Sequence, residues 1–248
     1  MSLDGQELAA TIVASFPMAA GVRFEWHAHS DHQLAWSPDG VLIVLTDGGS
    51  YILPPTRALW IPARTPHETR ASGVATLRSV YLRPGRSPIR WRGPTPVVVT
   101  PLLAELICHL DDDRLAPLRR RRAEAVLFDL LMPLRKATID VRLPADPRAR
   151  DVAEALLDDP ADGRTLHSWG RHVGASSRTL ARAFRAETGL SFGRWRTLVR
   201  LQAALIQLAE GRPVSVVADR VGYETTSAFV SAFRSHTGVT PGRYFRSG

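Results

Sequence analysis

The 248-residue sequence has one cysteine, Cys108, one lysine, Lys136, and no apolar run near the roughly 18 residues that a membrane-spanning helix needs. A lone cysteine excludes an intramolecular disulfide and a cysteine-based zinc site, and its apolar helical surroundings make Cys108 read as a core thiol. The first residues carry Asp4 and Glu7 where a secretory leader needs positive charge, so the expectation is a soluble, cytoplasmic protein without membrane association. Nothing in the composition points to disorder, and 44% hydrophobic residues in a chain of this length are enough for two ordinary cores.

Positive charge, by contrast, is abundant and uneven. The formal charge is +8, and residues 164–248 hold 13 Arg and no Lys against 4 acidic residues. A general bias toward arginine explains the missing lysines but not this clustering, which is the electrostatic footprint of a polyanion binder.

The same stretch contains a repeat. ASSRTLARAFRAETGL from Ala175 and TTSAFVSAFRSHTGV from Thr225 align on Phe184 and Phe233, 49 positions apart, and share alanine, arginine, threonine and glycine at equivalent places. At about 100° per residue, Leu180 and Phe184 fall on one side of a helix and Arg178, Arg182 and Arg185 on the other. In the second copy Phe229 and Phe233 are the anchors, and Ser227, Ser231 and Arg234 take the outward places. Upstream of each copy stand a short apolar segment and a glycine, Leu166 to Gly174 and Val214 to Gly222. That order is the grammar of a helix-turn-helix, with the glycines at positive φ and Ser176/Ser177 or Thr225/Thr226 supplying N-cap oxygens. The second turn is one residue longer than the first. Between the units, Arg194 to Glu210 reads as a long helix with Trp195, Leu198, Val199, Gln202, Leu205, Ile206 and Ala209 on its buried stripe. The direct-contact candidates for DNA are therefore Ser177, Arg178, Arg182, Arg185, Thr226, Ser227, Ser231 and Arg234.

With VADRVGY from Val217, SAFVSAFR from Ser227 and GVTPGRYF from Gly238, residues 164–245 resemble the DNA-binding domain of the AraC/XylS family of bacterial transcription regulators. The resemblance implies two helix-turn-helix units, bridged by one helix, entering successive major-groove segments on one face of double-stranded promoter DNA.

Residues 22–92 read as short strands separated by turns: VLIVL from Val41, a DGGS hairpin turn at Asp47, ALWIP from Ala58 and VATLRSVYL from Val74. A small antiparallel β-barrel follows. WHAHSDHQ from Trp26 and WIPARTPH from Trp60 make this part resemble a cupin, whose pattern has two histidines two apart, an acid four further on and a third histidine beyond a proline-rich turn. Carried over, those positions are His27, His29, Gln33 and His67. Gln33 stands where the pattern has glutamate, and Arg64 where it often has glycine. His27 and His29 on one strand project to the same face, and position 33 keeps that parity if the strand stays regular; His32 has the opposite parity and goes to the outer face or a turn. Imidazoles suit a divalent transition metal such as Ni, Zn or Co, and the same histidines could instead contact an organic effector. His109, His167, His172 and His236 are scattered on helical stretches and read as surface or structural residues.

GPTPVVVTP from Gly93 and LPADP from Leu143 read as extended links. Between them run two apolar stripes: Leu102, Leu103, Leu106, Ile107 and Leu110, then Val126, Leu127, Leu130, Leu131 and Leu134. They predict a helix pair, ended or kinked at Pro133, that either dimerises the protein or caps the barrel. The RRRR run from Arg119 reads as a solvated face.

The expected architecture is α+β and multidomain: a cupin-like sensor at 1–93, a helical linker and dimerisation region at 94–147, and a tandem helix-turn-helix domain at 148–248. The function expected is a homodimeric, effector- or metal-modulated transcription regulator without catalytic activity. Two rival classes are a histidine-rich metal-dependent cupin enzyme of oxygenase or isomerase type fused to a DNA-binding domain, and an architectural DNA protein with neither effector nor sequence preference.

Overall fold

The computed structural model describes residues 11–47, 49–134, 139 and 141–244. Asp4, Glu7, Lys136, Phe245 and Gly48 of the hairpin turn lie outside the described residues. The described chain divides into two compact units, residues 11–134 and 139–244. No described helix is long and apolar enough to cross a membrane.

The first unit contains nine strands and two helices: β1 (Thr11–Met18), β2 (Arg23–His27), β3 (His32–Trp36), β4 (Leu42–Thr46), β5 (Gly49–Leu53), β6 (Arg57–Ile61), β7 (His67–Ala71), β8 (Ala75–Leu82), β9 (Thr95–Val98), α1 (Pro101–Leu110) and α2 (Pro117–Leu130). The strands form two sheets, β1-β8-β3-β6-β9 and β2-β7-β4-β5, and the seven strand pairings in them are antiparallel. The period-2 alternation of each strand separates two cores. Ala35, Leu59, Ile61 and Leu77 of the larger sheet pack with Leu42, Val44, Leu53 and Ala71 of the smaller one. Their strand neighbours Leu34, Trp36, Ala58, Trp60, Val80 and Leu82 point the other way, onto Leu103, Ile107 and Leu110 of α1 and Ala123, Leu127 and Leu131 of α2 and its end. The larger sheet is thus covered on both faces, which is why ALWIP on β6 reads as a continuous apolar run rather than an alternating one.

Several expectations shift here. GPTPVVVTP is not only a link: Thr95–Val98 pairs with β6, and on its other side the Pro96 carbonyl accepts from the Leu134 amide while the Val98 amide donates to the Met132 carbonyl, so Pro96 serves there as an acceptor. Thr11–Met18, read as nothing in particular, pairs along its whole length with β8. Leu102 (59% exposed) and Val126 (43% exposed) leave the buried stripes assigned to them, because α1 and α2 each present one narrow face to the sheet. α2 ends at Leu130, three residues before Pro133.

The second unit is all helical: α3 (Pro147–Asp158), α4 (Leu166–His172), α5 (Ser177–Thr188), α6 (Phe192–Ala209), α7 (Val214–Arg220), α8 (Thr226–Thr237) and α9 (Pro241–Tyr244). Local chemistry marks each boundary. Ser176 accepts from the Thr179 amide and Thr225 from the Ala228 amide, so each reading-helix candidate begins on a side-chain cap worth about 1 kcal/mol. Both end on a left-handed glycine, Gly189 and Gly238. Gly174 and Gly222 have φ of 65° and 81°, as the turns require. α3 had no expectation attached to it; Asp146 caps it, Pro147 opens it, and it buries Ala149, Val152, Ala153 and Leu156 against Trp169, Leu180, Phe184 and Trp195. α6 buries Trp195, Val199 and Leu205 of its assigned stripe, leaves Leu198, Gln202, Ile206 and Ala209 half-buried, and adds Phe192, Leu201, Ala204 and Leu208. A helix that packs against α5 and also against α7 needs an apolar surface wider than one stripe.

Candidate functional site

The interior between the two sheets is apolar at one end and polar at the other. At the polar end one ring nitrogen from each of His27, His29 and His67 lies within 4.8 Å of the other two. Ring centroids are 4.4 Å apart for His27 and His67, 5.1 Å for His29 and His67, and 6.0 Å for His27 and His29.

The route to this convergence differs from the one the spacing suggested. His27 and His29 do not share a strand: β2 ends at His27, and His29 lies in the crossover to β3, which belongs to the other sheet. Within β2 the register slips, with Phe24 opposite Thr69 and His27 opposite His67, so three steps on one strand match two on its partner. That bulge turns His27 to the side on which Phe24 packs, where regular alternation would have sent it outward. Gln33, on β3, enters from the larger sheet, is 3% exposed, and sets its Oε1 3.1 Å from His29 Nε2 while its amide donates to the Ser79 hydroxyl. His32, of opposite parity, goes to the other face, rests against Trp60 at 4.8 Å and accepts the Ala63 amide on Nδ1.

All three imidazoles are held the same way. Nδ1 of His27, His29 and His67 faces a backbone oxygen two residues away, of Glu25, Asp31 and Thr65, at 2.7, 2.7 and 2.9 Å. A carbonyl only accepts, so Nδ1 carries the proton and Nε2 keeps its lone pair. For His67 that lone pair is buried and has no hydrogen-bond partner among the described residues. Burial, with the neighbouring His27 and His29 adding to it against the opposing Thr65 carbonyl, brings the His67 pKa down to about 4, so the ring is neutral at pH 7. His29 has an acceptor facing each nitrogen; it is satisfied as a neutral ring once the Gln33 amide makes a half-turn, which lets the Ser79 hydroxyl donate to Oε1 in exchange.

Two further features of this site escaped sequence reasoning. Tyr81 stands edge-on to His29 at 5.3 Å, and with Ser79 it arrives through the β3–β8 register, which leaves no local signal. Arg64, at the position noted for glycine, adopts φ 63°, and its amide donates to the His29 carbonyl at 2.7 Å. The left-handed conformation survives there without a glycine, and it anchors the loop that carries His29.

In the second unit, Arg178, Arg182 and Arg185 are exposed on α5, opposite buried Leu180, Ala183 and Phe184. Ser177 is half-buried at the start of that helix, and Thr226, Ser227, Ser231 and Arg234 are exposed on α8, opposite Phe229 and Phe233. Among the described residues none of the four arginines has an ion-pair or side-chain hydrogen-bond partner, in contrast to Arg148, Arg164 and Arg212, each bound to a nearby acid. Free guanidiniums on one helix face can contact phosphates or the guanine edge.

A family model described as an AraC-like ligand binding domain matches residues 10–134, and one described as a helix-turn-helix domain matches residues 169–247. The HTH-type transcriptional regulator NimR of Escherichia coli is 32% identical over 222 residues, covering 88% of this chain and 81% of that protein. RipA of Corynebacterium glutamicum, also an HTH-type transcriptional regulator, is 44% identical over 102 residues, which cover 41% of this chain and 31% of that protein. Among solved structures, ToxT from Vibrio cholerae aligns over 95% of this chain and 96% of that one at 11% identity, with a TM-score of 0.39.

Proposed function

Because the chain belongs to the AraC family of helix-turn-helix transcriptional regulators, with a ligand-binding unit preceding the DNA-binding one, we propose that occupancy of the histidine cluster sets how it binds promoter DNA. The reading is of a binding protein, not an enzyme. Its carrying observation is the buried, partnerless Nε2 of His67, facing two more imidazoles whose proton is likewise parked on Nδ1. A buried acceptor left unmet costs about 1–3 kcal/mol, and a ligand that meets it recovers that cost.

The donor set fits a divalent transition metal. Three neutral imidazoles with carbonyls behind them are the arrangement that raises ligand basicity, and Ni, Zn or Co are the ions that such nitrogens favour. His27, His29 and His67 would hold the ion, and Gln33 would offer a weak neutral oxygen or keep its bond to His29. A bound ion would supply positive charge and tie the smaller sheet to the crossover that leaves it. An organic effector that donates hydrogen bonds to the same nitrogens is the second reading, favoured by Gln33 standing where a charged ligand would strengthen a metal site. In either case the ligand shifts the population of DNA-competent states only as far as it binds them better. The exposed Leu102, Leu118 and Val126 on α1 and α2 support a homodimer formed through those helices.

The test is elemental analysis of protein purified without chelator, joined to DNA-binding titrations with Ni²⁺, Zn²⁺ or Co²⁺. His27→Ala with His29→Ala should keep basal DNA affinity and lose the response to metal. Absence of metal in the purified wild type, together with no metal-dependent change in its DNA binding, would leave the organic effector as the reading.

A further inference from the structure

The two helix-turn-helix units are joined by α6, and the structure contains a second connection, braced against the side of that helix. Arg200, midway along α6, donates from Nε to the Pro160 carbonyl at 3.0 Å, and Arg196 donates to the Arg164 carbonyl at 3.0 Å. Both carbonyls belong to the segment between α3 and α4. That segment is tied to the first helix-turn-helix: Arg164 pairs with Asp162 at 2.6 Å and lies over the buried Trp169 ring at 3.4 Å. On its other side it meets the second helix-turn-helix. A Cβ built on Gly222 would stand 2.8 Å from Ala161 Cα, 3.0 Å from Ala161 O and 2.8 Å from the Arg200 guanidinium, so nothing larger than glycine fits between them. The same guanidinium lies 5.6 Å from the Tyr223 ring centre, and Tyr223 packs edge-on against Phe229, the buried anchor of α8.

We infer that Arg200 and Gly222, clasped around Ala161, are positioning residues that lock the second reading helix to the first, so that the protein measures the distance between its two DNA half-sites. The contacts run without a gap from Trp169, beneath α5, through Arg164, the 160–162 segment, Arg200 and Gly222 to Tyr223 and Phe229, beneath α8. Neither residue needs to touch DNA. The first turn has no equivalent: a Cβ on Gly174 meets nothing, so the close fit is peculiar to the second turn and is not a requirement of the motif. One helix by itself bends and twists under load; two connections fix an angle as well as a distance. The inference rests on α5 and α8 both reading DNA.

The test uses the full-length protein and duplexes selected by it from a random pool. Each selected site is also made as a single half-site, and with one base pair inserted or removed between halves, which turns the second groove segment by about 34°. Wild type should lose at least about tenfold in affinity on the respaced sites, since its second head no longer reaches a groove at high effective concentration. Arg200→Ala and Gly222→Ala should bind the single half-site within about twofold of wild type, bind the full site more weakly, and lose only about threefold on respacing. Circular-dichroism melts establish that each variant is folded, and the two substitutions disturb the clasp from opposite sides, so either one suffices. An affinity loss equal on half and full sites, or an undiminished spacing penalty, overturns the lock. If wild type itself binds half-site and full site equally, α8 is no reader, and the inference falls together with the reading it rests on.

Discussion

Acid should destabilise the first unit through one side chain. His67 is neutral and buried in the native state, with a pKa of about 4, whereas the unfolded chain gives it the ordinary value of 6.5. Above pH 6.5 neither state holds the proton, and the difference contributes nothing. As the pH falls through 6.5 the unfolded chain takes up a proton that the folded one refuses, so stability drops; below 4 the native ring is protonated too and the loss levels off. With about 1.36 kcal/mol for each pH unit between the two values, the full loss is about 3 kcal/mol, of which about 2 is present at pH 5. A mesophilic domain with about 5–15 kcal/mol in hand would lose a substantial part of its stability. The assay is urea unfolding from pH 7.5 to 4 with chelator present, on wild type and His67→Gln, a neutral side chain at every pH. The stability difference between the two proteins should narrow by about 2 kcal/mol from pH 7 to pH 5. Parallel pH profiles for wild type and variant would refute the reasoning, because the acid response would then come from other groups.

The remaining expectations are shorter. Arg182→Ala, at an exposed guanidinium with no protein partner, should cost about 1–3 kcal/mol on the preferred sequence and relax base preference in the half-site read by α5; a uniform loss on every sequence would make Arg182 a phosphate contact. Because α8 presents Ser227 and Ser231 where α5 presents Arg178 and Arg182, site selection should return one well-defined half and one degenerate half, and equal information in both would count against that asymmetry. Arg64→Gly should stabilise the first unit by about 0.5–1 kcal/mol, since φ 63° costs a side chain about 1–2 and the freer unfolded chain returns about half of that. A destabilised glycine variant in the same thermal melt would mean that the Arg64 side chain contributes something its backbone does not.

How much was legible beforehand follows from how local each cause is. The tandem units were readable nearly to the residue: caps at Ser176 and Thr225, left-handed glycines at 174 and 222, and helix faces with a 3.6 period are all set within a dozen positions of sequence. The cupin-like pattern singled out the histidines, but the geometry offered for their convergence did not hold. Parity along one strand put His27 and His29 on one face, whereas a bulge in β2, a crossover between sheets and the pairing of β2 with β7 bring them to His67. A bulge is set by the partner strand, and no residue between Phe24 and His27 announces it. Ser79 and Tyr81 were invisible for the same reason, being neighbours of Gln33 and His29 only through the β3–β8 register. The Ala161–Gly222 contact joins positions far apart in sequence, and Gly222 read simply as a turn glycine. The sequence by itself therefore determined the family, the caps of α5 and α8 and the residue types available for chemistry. Which of those residues share a site was decided by strand register and close packing, because both depend on surfaces that exist only after distant segments have met.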